Sequence, residues 1–140
     1  MIGGIAAISF LNFATSSSST LRLPHSANIV NGLITVQAGK YNYYWFTLPA
    51  GSTSISVTGS FTASGGSGND VEVFVMDQAN FVNWQNGHQA SAYYDSGQLT
   101  TGTISASLPS SGTYDLVYSN TFSTVSSKNV QTTVNLYYLG

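Results

Sequence analysis

From Asn28 onward the chain is a series of short apolar or alternating runs, each ended by a cluster of turn formers. The breaks are AGK at 38–40, PAG at 49–51, SGGSGN at 64–69, SG at 96–97 and PSSG at 109–112, with little helical periodicity between them. They delimit expected strands at Ile29–Gln37, Tyr41–Leu48, Thr53–Thr62, Val71–Asp77, Ser91–Asp95, Leu99–Leu108, Thr113–Asn120 and Val130–Leu139. Turn signals at this spacing predict an antiparallel β-sandwich or barrel rather than a parallel sheet. The run at 53–62 is the clearest case. Ile55, Val57, Gly59 and Phe61 point one way and Ser54, Ser56, Thr58 and Ser60 the other, giving an inside and an outside.

Three runs have no polar side. In Tyr41–Leu48, one face carries Tyr41, Tyr43 and Trp45 and the other Tyr44, Phe46 and Leu48. Val71, Val73 and Val75 are backed by Phe74 and Met76, and Val130, Val134 and Leu136 by Tyr137 and Leu139. Such second faces must be covered. The expected cover is further protein, with an internal helix or loop near residues 78–86 as the alternative.

Charged residues make up 6% of the 140 positions, against about 25% in ordinary domains. The surface is wetted instead by 22 Ser and 15 Thr. Arg22, Lys40 and Lys128 are the three cations in a chain of net charge −2, too few for a nucleic-acid backbone or for polybasic attachment to anionic lipid. With no cysteine there is neither a disulfide framework nor a thiolate metal site. The aromatic content of 13% supports a packed core rather than disorder. A neutral surface poor in Lys and Arg suits an extracellular or cell-surface setting. No asparagine begins an N-x-Ser/Thr acceptor, while Ser16–Thr20 leaves O-linked sugar open.

The first fourteen residues, MIGGIAAISFLNFA, are almost wholly apolar and give way to TSSSST. No basic residue precedes the run, as a secretory signal would require, and the run is shorter than the ~20 residues of a membrane-spanning helix. Both faces of an extended reading are apolar, as in a strand enclosed on both sides. Gly3, Gly4 and missing caps weigh against a buried helix. The expected organisation is a donor-type strand at 1–15, a Ser/Thr-rich linker at 16–27 and a β-sandwich domain at 28–140.

Few residues offer chemistry. His25 and His88 are the two histidines, and no G-x-S-x-G elbow occurs, so no nucleophile–base–orienter set is expected and the chain does not read as an enzyme. Asp70, Glu72, Asp77 and Asp95, with Asn69, lack any Ca²⁺-loop spacing and read as solvated strand-end carboxylates. No metal site and no cofactor are expected. The segment NFVNWQNGH at 80–88 sets Trp84 among amides. With Trp45 it has the composition of a glycan-stacking platform; the competing reading has Phe81 and Trp84 plugging the end of the sandwich.

The stretches TVQAGKYNYYWFTLPAG (35–51), NDVEVFVMD (69–77) and LPSSGTYDLVYSN (108–120) resemble the pre-peptidase C-terminal type of domain over roughly residues 34–139. The resemblance implies a secreted, jelly-roll-like β-sandwich, an accessory or adhesion module without catalytic residues. The apolar N-terminal segment departs from that pattern. Its arrangement is similar instead to subunits of extracellular filaments assembled by donor-strand exchange.

The expected function is therefore a structural subunit of a pilus-like filament that polymerises with itself by N-terminal strand insertion into the neighbouring copy. Ile5, Ile8, Phe10, Leu11 and Phe13 would be the anchors. At roughly 1.5–3 kcal/mol each, their burial would yield a gross gain on the order of 10 kcal/mol, much of it consumed in ordering the segment. The alternative is a secreted carbohydrate-binding or adhesion module with glycans as partners.

Overall fold

The computed structural model describes residues 2–9, 22–66 and 68–140. Nine strands and one short helix follow in the order β1 (Ile2–Ser9), β2 (Pro24–Val36), β3 (Tyr41–Leu48), β4 (Thr53–Ser64), β5 (Val71–Asp77), α1 (Gln78–Gln85), β6 (Tyr94–Leu99), β7 (Thr101–Leu108), β8 (Gly112–Ser119) and β9 (Lys128–Leu139). They form a five-stranded sheet, β1-β3-β8-β5-β6, facing a four-stranded sheet, β2-β9-β4-β7. From β2 to β5 every connection crosses between the sheets, as in a jelly roll. The all-β sandwich read from the turn spacing is the observed fold. Among the described residues every strand pairing is antiparallel except β1 with β3, which is parallel.

The core lies between the sheets. Val57, Phe61, Ile104, Val130, Val134 and Leu136 from one sheet meet Phe46, Val73, Val75, Leu116 and Tyr118 from the other, and all are essentially inaccessible. The Tyr118 hydroxyl reaches Thr132 Oγ1 at 2.6 Å, and Thr132 donates onward to the Ser60 carbonyl at 2.8 Å. A hydroxyl buried in an apolar layer is thereby satisfied. Gly59 sits where β4 presses on β9, and a Cβ there would lie 2.1 Å from the Thr133 carbonyl oxygen.

On the outer apolar face of the five-stranded sheet the chain's own helix packs, whereas the outer face of β9, in the other sheet, leaves Tyr137 40% exposed. Tyr41, Phe74, Met76 and Val117 form a second cluster with Phe81 of α1, and Tyr43, Trp84 and Ala90 pack against it. The helix begins where Asp77 Oδ1 accepts the Asn80 backbone N–H at 2.8 Å. The internal-helix alternative at 78–86 is thus the observed one. Several strand expectations shift. β2 begins at Pro24, five residues before the expected Ile29, because β9 is long enough to pair with it from Pro24↔Leu139 to Val36↔Lys128. His25, expected in the linker, lies in β2, stacked on Tyr138 at 4.8 Å. The expected break at 96–97 falls inside β6, where Gly97, at φ +66°, absorbs a register shift against β5. With that bulge inside it, the strand runs Tyr94–Leu99 rather than 91–95.

Candidate functional site

β3 occupies the second position in its sheet, and β1 alone lies outside it. β1 runs Ile5↔Tyr43, Ala6↔Tyr44, Ala7↔Trp45, Ile8↔Phe46 and Ser9↔Thr47, with a register irregularity between Ile2 and Ile5. Of the expected anchors, Ile5 and Ile8 fall in β1, opposite an outer-face residue and a core residue of β3; Phe10, Leu11 and Phe13 lie outside the described residues. Every main-chain bond that β1 makes to β3 is one that the edge of β3 offers to any strand laid along it.

On the outer face, next to this edge, a cavity of about 300 Å³ opens between β3, β8 and α1. Tyr43, Trp45 and Phe81 supply its aromatic walls, and Gln78, Gln85, Thr113 and Asp115 its polar ones. Asp115 is 1% exposed, and neither carboxylate oxygen has a hydrogen-bond partner. Burial, and secondarily the charge of Asp77, push its carboxyl up to about 7. Trp45 lines this cavity, whereas Trp84 packs edge-on to Tyr41 at 4.8 Å and stacks on Phe81 at 6.2 Å. Sequence reasoning thus singled out Trp45 but missed Asp115, whose signal was an acid at an outer-face position of an otherwise apolar strand.

The remaining carboxylates form no single cluster. Asp70 lies 3.5 Å from Lys128 Nζ, and Asp77 caps α1. Glu72 is pushed up to about 7, by burial first and then by its hydrogen bond and proximity to Asp95. Among the described residues no three His, Cys, Asp or Glu side chains are grouped to hold a metal ion, and no helix is long and apolar enough to cross a membrane.

The molecule is thus an all-β sandwich whose first strand is a parallel edge strand. No family model matches the chain, and no curated protein matches it. Among solved structures it is similar to PliG of Aeromonas hydrophila, a periplasmic lysozyme inhibitor of g-type lysozyme, at 18% identity and a TM-score of 0.41, over 95% of this chain and 97% of that one. It is also similar to the pre-peptidase C-terminal domain of a collagenase from Bacillus anthracis, at 8% identity and a TM-score of 0.39, over 91% and 93% of the two chains. At these identities the likeness is one of fold alone.

Proposed function

We propose that the chain is a structural subunit of an extracellular, pilus-like filament in which β1 of one copy seats beside β3 of the next. The observation that carries this reading is the edge position of β1. It is an apolar N-terminal strand, laid parallel on β3 and joined to the body through the fourteen residues 10–23. An element held at a sheet edge by main-chain bonds, and tethered rather than built into a hairpin, is exchangeable between identical copies at little net cost. Fully extended, fourteen residues reach at most about 50 Å, enough for an immediate neighbour. Donation from copy to copy is heterologous, and where the rotation does not close it propagates as an open fibre. The Ser/Thr-wetted surface, poor in tryptic sites, supports an exported setting.

Since the chain has no cysteine, a Ser9→Cys/Thr47→Cys double variant tests exchange cleanly. Oxidised after assembly and run on a denaturing gel, it gives a ladder of covalent oligomers if strands are donated. A closed monomer alone would overturn the reading.

A second reading, carbohydrate binding, is favoured by one observation: the cavity at Trp45 combines aromatic faces, two amides and a carboxyl without a partner. That is the donor–acceptor and stacking set that a sugar ring uses. A glycan bound there would not conflict with strand donation.

A further inference from the structure

Lys128 opens β9 and is 1% exposed, although lysine is almost never fully buried unless its ammonium is partnered. Its Nζ donates to Asn120 Oδ1 at 3.1 Å and to the Asp70 carbonyl at 3.0 Å, and lies 3.5 Å from Asp70 Oδ1. The Phe122 ring centroid is 5.1 Å away. Asn120, just past β8, is wholly buried. Its Nδ2 donates to the carbonyls of Val36 at 3.2 Å, Gln37 at 3.3 Å and Ser126 at 2.8 Å. Three acceptors on Nδ2 fix the amide's orientation, so its carbonyl side faces the amine. An amine, a carboxamide and a carboxylate are therefore held together on three separate segments, shielded by an aromatic ring.

From this geometry we infer that Lys128 and Asn120 are poised to form an intramolecular isopeptide bond, with Asp70 as the proton carrier. Nζ, in its neutral form, attacks Cγ of Asn120, and the Asp70 carboxylate takes up the proton that Nζ sheds. The tetrahedral centre collapses with cleavage of the Cγ–Nδ2 bond. Asp70 returns the proton to the departing nitrogen, which leaves as ammonia. The amine and the primary amide become a secondary amide and ammonia. No oxidation occurs and no co-reactant is consumed. Nζ and the Asn120 amide are both buried, beneath the Phe122 ring. A cleft of about 220 Å³, lined by Asp70, Phe122, Ser123, Ser126 and Lys128 among others, gives ammonia a way out. The bond would tie the end of β8, in one sheet, to the start of β9, in the other. It would join the two layers of the sandwich in a chain that has no cysteine to do so.

Intact-mass spectrometry of the full chain, purified and held at neutral pH, tests this directly. The expected mass is about 17 Da below that of the unmodified sequence. Chymotryptic cleavage after Phe122 should then leave the segments carrying Asn120 and Lys128 joined as one branched peptide. That branched peptide separates this bond from ammonia loss at an Asn-Gly step. Asp70→Asn, altered at a half-buried rim position, should fold and retain the full mass, as should Lys128→Met wherever it folds. The unmodified mass in the parent chain, or a deficit that maps to a linear peptide, would overturn the inference.

Discussion

Asp115 is the residue at which packing and solvation disagree most. Its strand neighbours, Trp45 and Met76, are apolar, and it is buried without a hydrogen bond to either oxygen. Its carboxyl rises from 3.8 to about 7. The folded chain therefore keeps a proton that the unfolded chain releases. Stability falls as pH rises from about 4 to about 7 and stays low above that. Glu72 pushes in the same direction. Asp115→Asn removes the charge but keeps the shape. In urea titrations it should gain on the parent as pH climbs from 5 to 8, by on the order of 2–4 kcal/mol. Parallel pH profiles for parent and variant would show that the Asp115 carboxylate is solvated. Position 115 lies on the outer face of β8, beside Tyr43 and Trp45. Its burial depends on β3 and α1, which are remote in sequence or have no strong pattern of their own.

At the scale of elements, α1 divides the two tryptophans. It lies across β3, β5 and β8, and Trp84 on its underside meets Tyr41, Phe74 and Phe81. Trp45, on β3, is left at the cavity wall. Trp45→Ala is therefore predicted to abolish any binding on a glycan array with little change in melting temperature. Trp84→Ala should lower the melting temperature by removing a packed aromatic, a loss of roughly 3 kcal/mol or more if its site cannot collapse. The reverse pattern would move the sugar reading to Trp84. β3, β5 and the turns at 38–40 and 49–51 were legible because apolar runs and the Gly/Pro breaks that bound them are local properties. The helix was hard to read: its eight residues carry no amphipathic stripe, and it is set by the Asp77 cap and by the apolar face beneath it. The start of β2 and the bulge at Gly97 were illegible because both depend on the length and register of a partner strand. The Asp70–Asn120–Lys128 group was invisible for the same reason, since its members meet only once the sheets have closed.

At the scale of the whole molecule, the sandwich closes its core and lays its own helix on the outer face of the five-stranded sheet. What the fold does not build in by a short connection is β1. With only 6% charged residues, any assembly built on β1 rests on main-chain bonds and apolar contact, which salt does not screen. In the proposed filament β1 passes from copy to copy. Negative-stain electron microscopy of the purified full chain beside a variant lacking residues 1–15 tests it most directly. The full chain should give filaments that persist in about 1 M NaCl, and the truncated one dispersed particles. Filaments that survive the truncation, or a full chain that remains a single particle at every concentration, would contradict strand donation.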